Sequence, residues 1–135
     1  MNEQTQINHD LISLIREAGV VGEGGAGFPA HVKYDTQADT IIANGCECEP
    51  LLYSDQHIME TFPEKIVMAM MAVMRKTGAS RGVIGIKEKY TSICQKFEAA
   101  VSASGIEIAR LENFYPAGDE QILIHEITGK TVPPL

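Results

Sequence analysis

The chain has 135 residues, 44% hydrophobic and 21% charged, with a formal net charge of -7 and an isoelectric point near 5.0. Such a length and balance describe one globular unit able to bury a core. They exclude a nucleic-acid surface, which needs clustered Lys and Arg, and adsorption to anionic lipid.

The longest apolar run, Ile66 to Met74, falls far short of the roughly 20 residues a membrane span requires, so no direct membrane insertion is expected. Residues Met1 to Gln6 are polar and hold no apolar signal-peptide core. Three cysteines cannot make a complete disulfide framework, which points to a reduced, cytoplasmic setting.

In chain order, Leu11, Ile12, Leu14, Ile15 and Ala18 recur at helical spacing, and Gly19 supplies a stop. Val20 and Val21 lead into a glycine-rich loop, Gly22 to Pro29. Thr40 to Ala43 reads as a short buried strand that runs into an acidic turn, Asn44 to Pro50. Pro63 is suited to the first turn of the next helix, which carries Ile66, Val67, Met70, Met71 and Met74 and closes at Gly78. Gly82 to Ile86 reads as a second strand, followed by a helix from about Lys89 to Ser102 and a third, alternating strand from Ile106 to Leu111. A turn from Tyr115 to Asp119 precedes a last helix with Ile122, Leu123 and Ile127, ended by Gly129. Strands alternating with helices predict an α/β fold with a mainly parallel sheet, whose ligands gather where strands end and helices begin.

Two motifs sit at such places. Gly22-Glu23-Gly24-Gly25-Ala26-Gly27 satisfies G-x-G-x-x-G, but a helix precedes it where the dinucleotide fingerprint needs a strand. The ordinary Rossmann reading is therefore rejected. The physical content of the glycines survives, because backbone N–H groups can converge on a ligand with no side chain in the way. Phe28 is placed to stack on a ring and Lys33 to offset anionic charge, while a plain surface loop stays open as the alternative. In the second motif, Asn44, Glu47 and Glu49 crowd a short segment, which costs desolvation and repulsion unless ligand groups compensate. Sugar hydroxyls and carboxamide N–H donors would compensate; a solvated loop is the alternative. Cys46 and Cys48 form a C-x-C pair there, but Cys94 lies mid-helix and each histidine stands alone, so no metal site is expected.

These motifs, in this order, resemble one family. The residues that carry the resemblance are Gly22 to Pro29 with Lys33, Asn44-x-x-Glu47-x-Glu49-Pro50 with Asp55, and Tyr115-Pro116-Ala117-Gly118-Asp119-Glu120. The family is that of the FMN- and NADH-binding 51 kDa subunit of complex I, with the Rnf complex C subunit and the cobalamin reductase and proline reductase-associated electron-transfer proteins among its members. The resemblance implies a Rossmann-like three-layer sandwich. It implies FMN contacts at Gly22, Gly24, Gly25, Ala26 and Gly27 and at Lys33, and stacking by Phe28. It further implies that Asn44 and Glu47 meet the flavin's ribityl and ring atoms, that Glu49 and Glu120 lie near NADH, and that Tyr115, Gly118 and Asp119 complete the flavin wall. The glycine loop and the acidic turn are then expected to be two walls of one cleft.

The departures are Glu23 where the complex I loop has arginine, Cys46 where its turn has aspartate, and Asp119 where the family has glutamate. They place the chain nearer the Rnf-like and reductase-associated relatives. The family continues into a further strand, a β-grasp domain and cysteine-rich iron–sulfur motifs. Residues 1–135 are accordingly expected to be an N-terminal module of a longer electron-transfer protein. Its partners would be iron–sulfur and β-grasp domains of the parent protein and a downstream reductase or membrane electron-transfer complex, placing it in the cytoplasm or peripherally at the inner membrane face. The implied activity is NADH-to-FMN hydride transfer with no protein acid or base. The alternative is a docking or assembly module whose flavin site is incomplete.

Overall fold

The computed structural model describes residues 11–23, 26–49 and 51–133. Residues 11–17 form the described part of a first helix, α1. The elements that follow are α2 (Ala30–Tyr34), β1 (Thr40–Gly45), α3 (Ser54–Thr61), α4 (Pro63–Thr77), β2 (Arg81–Lys87), α5 (Thr91–Ala100), β3 (Ile106–Leu111) and α6 (Glu120–Thr128). The three strands make one parallel sheet in the order β1-β2-β3, with Ile42 opposite Val83 and Ile84 opposite Ile108.

The pleat divides the core into two. Because successive strand residues face opposite ways, Ile84 and Ile86 of β2 join Met59 of α3, Val67 and Met70 of α4, and Ile93, Cys94 and Phe97 of α5 on one face. On the other face Leu123 of α6 packs with Leu111 and Cys46, joined by Ile42 and Ile127. Helices therefore cover both faces of a parallel sheet: the alternation predicted the parallel α/β sheet, and the family resemblance implied the three layers. β2 runs through the centre with every residue from Gly82 to Lys87 buried, as a strand paired on both sides and covered on both faces must be.

The helix boundaries follow the local chemistry. Pro63 opens α4, where its missing N–H costs nothing. Gly78 ends the same helix in the left-handed conformation (φ 74°), donating to the Met74 carbonyl. Asp119 caps α6, its carboxylate accepting from the N–H groups of Gln121 and Ile122 at 3.0 and 3.1 Å.

Two helices exceed the sequence reading. α2 has five residues and buries only Ala30, and α3 has eight and buries only Met59, so neither carries an apolar stripe. α5 is shorter than the expected Lys89 to Ser102, while β1 runs two residues beyond Ala43 to Gly45. No described helix is long and apolar enough to cross a membrane.

Candidate functional site

Parallel strands end on one side of a sheet, and here β1 delivers Asn44, β2 delivers Lys87 and β3 leads towards the Tyr115 turn. At that edge a cavity of about 320 Å³ opens, lined by Asn44, Cys46, Glu47, Cys48, Glu49 and Asp55, and across from them by Tyr115, Pro116, Gly118 and Asp119. The acidic turn and the Tyr115 block, some 70 residues apart in the chain, thus share one wall system.

Gly118 is the joint. The Asn44 amide Nδ2 donates to the Gly118 carbonyl at 2.8 Å, and the Gly118 N–H donates to Cys48 Sγ at 2.8 Å. A Cβ at Gly118 would collide with the Cys46 carbonyl oxygen and lie 2.9 Å from Cys48 Sγ, so only glycine permits this approach. The turn is also braced from within: Asn44 Oδ1 accepts from the Cys46 N–H at 3.0 Å, and Glu47 Oε1 accepts from the Glu49 N–H at 2.8 Å. Asn44 and Asp119 therefore spend hydrogen-bonding capacity on shaping the cavity as well as facing it.

Beneath the turn lies Lys87, 5% exposed. Its ammonium donates to the Glu47 carbonyl at 2.8 Å and approaches Cys48 Sγ at 3.6 Å. Cys46 is fully buried, and burial pushes its thiol up to about 11 against the pull of the Lys87 charge. Cys94 is buried as well, and its thiol is likewise raised by burial. All three cysteines are free thiols, and no cluster among the described residues has metal-binding character.

The expected site residues distribute unevenly. Asn44, Glu47, Glu49, Tyr115, Gly118 and Asp119 converge on the cavity, and Glu120 is the exposed first residue of α6, next to Asp119. Gly22, Ala26, Gly27 and Phe28 belong to an exposed loop closed by a Val21–Pro29 bridge and by the Gly22 N–H bonded to the Phe28 carbonyl at 2.9 Å. None of these four lines the acidic cavity. Gly24, Gly25 and Pro50 fall outside the described residues. Lys33 lines a separate trench of about 650 Å³ that follows β1 between α4 and α6, with Ile41, Ile66, Met70 and Ile124 in its walls.

Sequence reasoning gave Asp55 and Lys87 no site role and weighed Cys48 only with Cys46, as a C-x-C pair for metal or redox chemistry. Asp55 was visible in the motif, and Lys87 stood at the end of a buried strand, where a charged side chain needs a reason to be. An apolar compartment of about 200 Å³ adjoins the cavity, sharing Asn44 and Asp55 with it and otherwise walled by Ala43, Ile58, Met59, Ile66 and Phe97 among others.

Comparison with known proteins bears on the chain as a whole. The model of the Nuo51 FMN-binding domain family matches residues 15–135. The chain is 46% identical over 120 residues to cobalamin reductase PduS of Citrobacter freundii, covering 89% of this chain and 26% of that protein. It is 39% identical over 125 residues to the C subunit of the Na(+)-translocating ferredoxin:NAD(+) oxidoreductase complex of Acetobacterium woodii, covering 89% of this chain and 28% of the other. In structure it is similar to a chain of an NAD+-reducing [NiFe]-hydrogenase in the air-oxidized state, with a TM-score of 0.80 at 28% identity, over 95% of this chain and 25% of that one. The chain therefore spans about a quarter of the length of these relatives. A family match over nearly all the described fold, together with relatives of this likeness, establishes that the chain belongs to the Nuo51 FMN-binding domain family.

Proposed function

We propose that this chain is the flavin-binding module of an electron-transfer oxidoreductase, holding FMN for reduction by NADH and for onward transfer to iron–sulfur centres and a reductase or membrane complex. The observation that carries the reading is the cavity at the strand ends, where an acidic turn and an exposed tyrosine are clamped together through Gly118.

The donor chemistry fits part of the cofactor and excludes another part. Glu47, Glu49, Asp55 and Asp119 present acceptors to the cavity, and its lining holds no Lys or Arg. Hydroxyl and N–H donors are welcome there and a phosphate is repelled. Ribityl hydroxyls, ring N–H groups, ribose and carboxamide would satisfy the carboxylates, and the phosphate would need donors outside this lining, such as glycine-loop backbone or Lys33. Tyr115, 78% exposed, and Phe28, 53% exposed, are aromatic faces that solvent leaves unsatisfied and that a ring system would cover.

FMN, when bound, supplies hydride acceptance and single-electron transfer. The chain's own residues would bind and orient it: the carboxylates would hold ring edge and sugar, while Asn44 and Gly118 keep the walls in register and Lys87 braces the turn from below. No proton need be moved by a side chain.

The second reading is a docking or assembly module. It is favoured by the described glycine-loop residues lying outside the cavity lining and by the internal bonds that Asn44 and Asp119 already make. Titration with FMN, followed by flavin fluorescence, separates the two. Micromolar binding supports the flavin module, and no binding up to about millimolar, near -4 kcal/mol, supports docking.

A further inference from the structure

The compartment of about 200 Å³ that adjoins the acidic cavity is apolar where its neighbour is charged. Its floor is Ile84 of β2 and Phe97 of α5, both fully buried, with Ala43 of β1 and Ile66 of α4 at the sides. Helix α3 covers it with Asp55, Ile58 and Met59, the i, i+3 and i+4 positions of one helix face. Met59 is the one residue of that helix that is buried, so α3 rests on a space that side chains leave unfilled.

Little in the compartment holds water. Its polar side chains are Asn44 and Asp55, both on the boundary with the acidic cavity. Asn44 already donates through Nδ2 to the Gly118 carbonyl and accepts through Oδ1 from the Cys46 N–H. No buried polar side-chain atom among the described residues lacks a partner, so none there calls for a water. An apolar space of ~150 Å³ walled by Leu, Ile and Phe stays dry and accepts benzene. This one, somewhat larger, has room for a benzene ring with small substituents.

Two of its walls favour an aromatic ring over an aliphatic one. The Met59 thioether lies against Gly45, its Sδ 2.7 Å from the point that a Cβ on that glycine would occupy. Phe97 supplies a ring from α5. Sulfur and an aromatic ring both attract a second π-system. Ile58, 48% exposed, and Asp55 mark the opening.

We propose that this compartment is a binding site for one neutral aromatic ring with small substituents. The ring has two sources: a free aromatic molecule, or the dimethylbenzene end of a flavin whose polar edge stays in the acidic cavity. The second source rests on the flavin reading above, and the first does not. In either case the ring gives α3 the apolar support that the fold itself leaves out, and the amides of that helix gain protection from hydrogen exchange.

The test titrates the full chain with o-xylene, the dimethylbenzene fragment by itself, and follows side-chain methyl groups by NMR. Saturable shifts are expected at Ile58, Met59 and Ile84, with none at Leu123 and Ile127 on the opposite face of the sheet. Ala43→Leu fills the compartment and should weaken o-xylene about tenfold. Ile58→Asp, at an exposed position, sets a charge at the opening and should weaken it by a similar factor. FMN, followed by its fluorescence, then separates the sources. If saturating o-xylene weakens FMN about tenfold, the flavin brings the ring; if each binds regardless of the other, the ring is a free one; both outcomes support the site. No saturable shift with o-xylene, or shifts spread over both faces of the sheet, overturns it. So does undiminished binding in Ile58→Asp, which decides alone if Ala43→Leu loses the dispersed spectrum of a folded chain. If FMN does not bind at all, the flavin reading fails, and the o-xylene titration still decides the site.

Discussion

Gly118 shows how one backbone contact governs a site. With the Cys46 carbonyl occupying the place where its Cβ would stand, Gly118→Ala must push the Tyr115 turn away from the acidic turn. Overpacking of this kind costs about 1–3 kcal/mol, read by denaturant unfolding, and flavin affinity should fall with it. Retained stability together with retained affinity would show that the joint is not needed. Cys46 carries a pH signature. Its folded thiol stands raised to about 11 from an ordinary 9.0, so the folded state keeps a proton that the unfolded chain gives up first. Stability is whole below pH 9 and declines as pH rises towards 11, by an amount on the order of 2 kcal/mol. Cys46→Ala should flatten that part of the alkaline stability profile. Glu49, exposed at the cavity rim, makes a complementary test in a full-length electron-transfer protein. Glu49→Ala should weaken NADH-dependent reduction more than flavin retention, and equal loss of both would count against its placement near NADH.

At the scale of elements, α6 depends on its cap and α5 on its buried ring. Asp119→Ala removes two capping hydrogen bonds and should cost about 1 kcal/mol. Because the same residue lines the cavity, binding should weaken along with stability. Phe97 is fully buried among residues of α3, α4 and the sheet, and Phe97→Ala should cost about 3–5 kcal/mol by thermal or chemical unfolding. Elements with strong periodicity and clear stops were legible in the sequence: Pro63 and Gly78 bound α4, and Ile106 to Leu111 is β3 as read. α2 and α3 were not legible, because one buried residue each leaves no pattern to detect; they are held by chain connection and by contacts made elsewhere.

For the whole molecule, the sheet order sets where stability and openness lie. β2 pairs on both sides, whereas β1 pairs only with β2 among the described strands, and its other side faces the trench between α4 and α6. Hydrogen exchange should therefore be slowest at Val83 to Ile86, with the outward-pointing amides of β1 exchanging much sooner. Uniform protection across the three strands would contradict this order.

Local pattern determined the alternation of strands and helices, the mainly parallel sheet, and the three motifs in which the family resemblance resides, through which the three-layer fold was implied. These are readable because periodicity, caps and turn residues act over a few neighbours. Which motifs meet was decided only by the tertiary structure. It joined the acidic turn to a block some 70 residues away and placed the described glycine-loop residues outside that cavity. It also brought the buried Lys87 under Cys48. Such contacts depend on strand register and on the packing of α6 against the far face of the sheet, and no spacing along the chain encodes either.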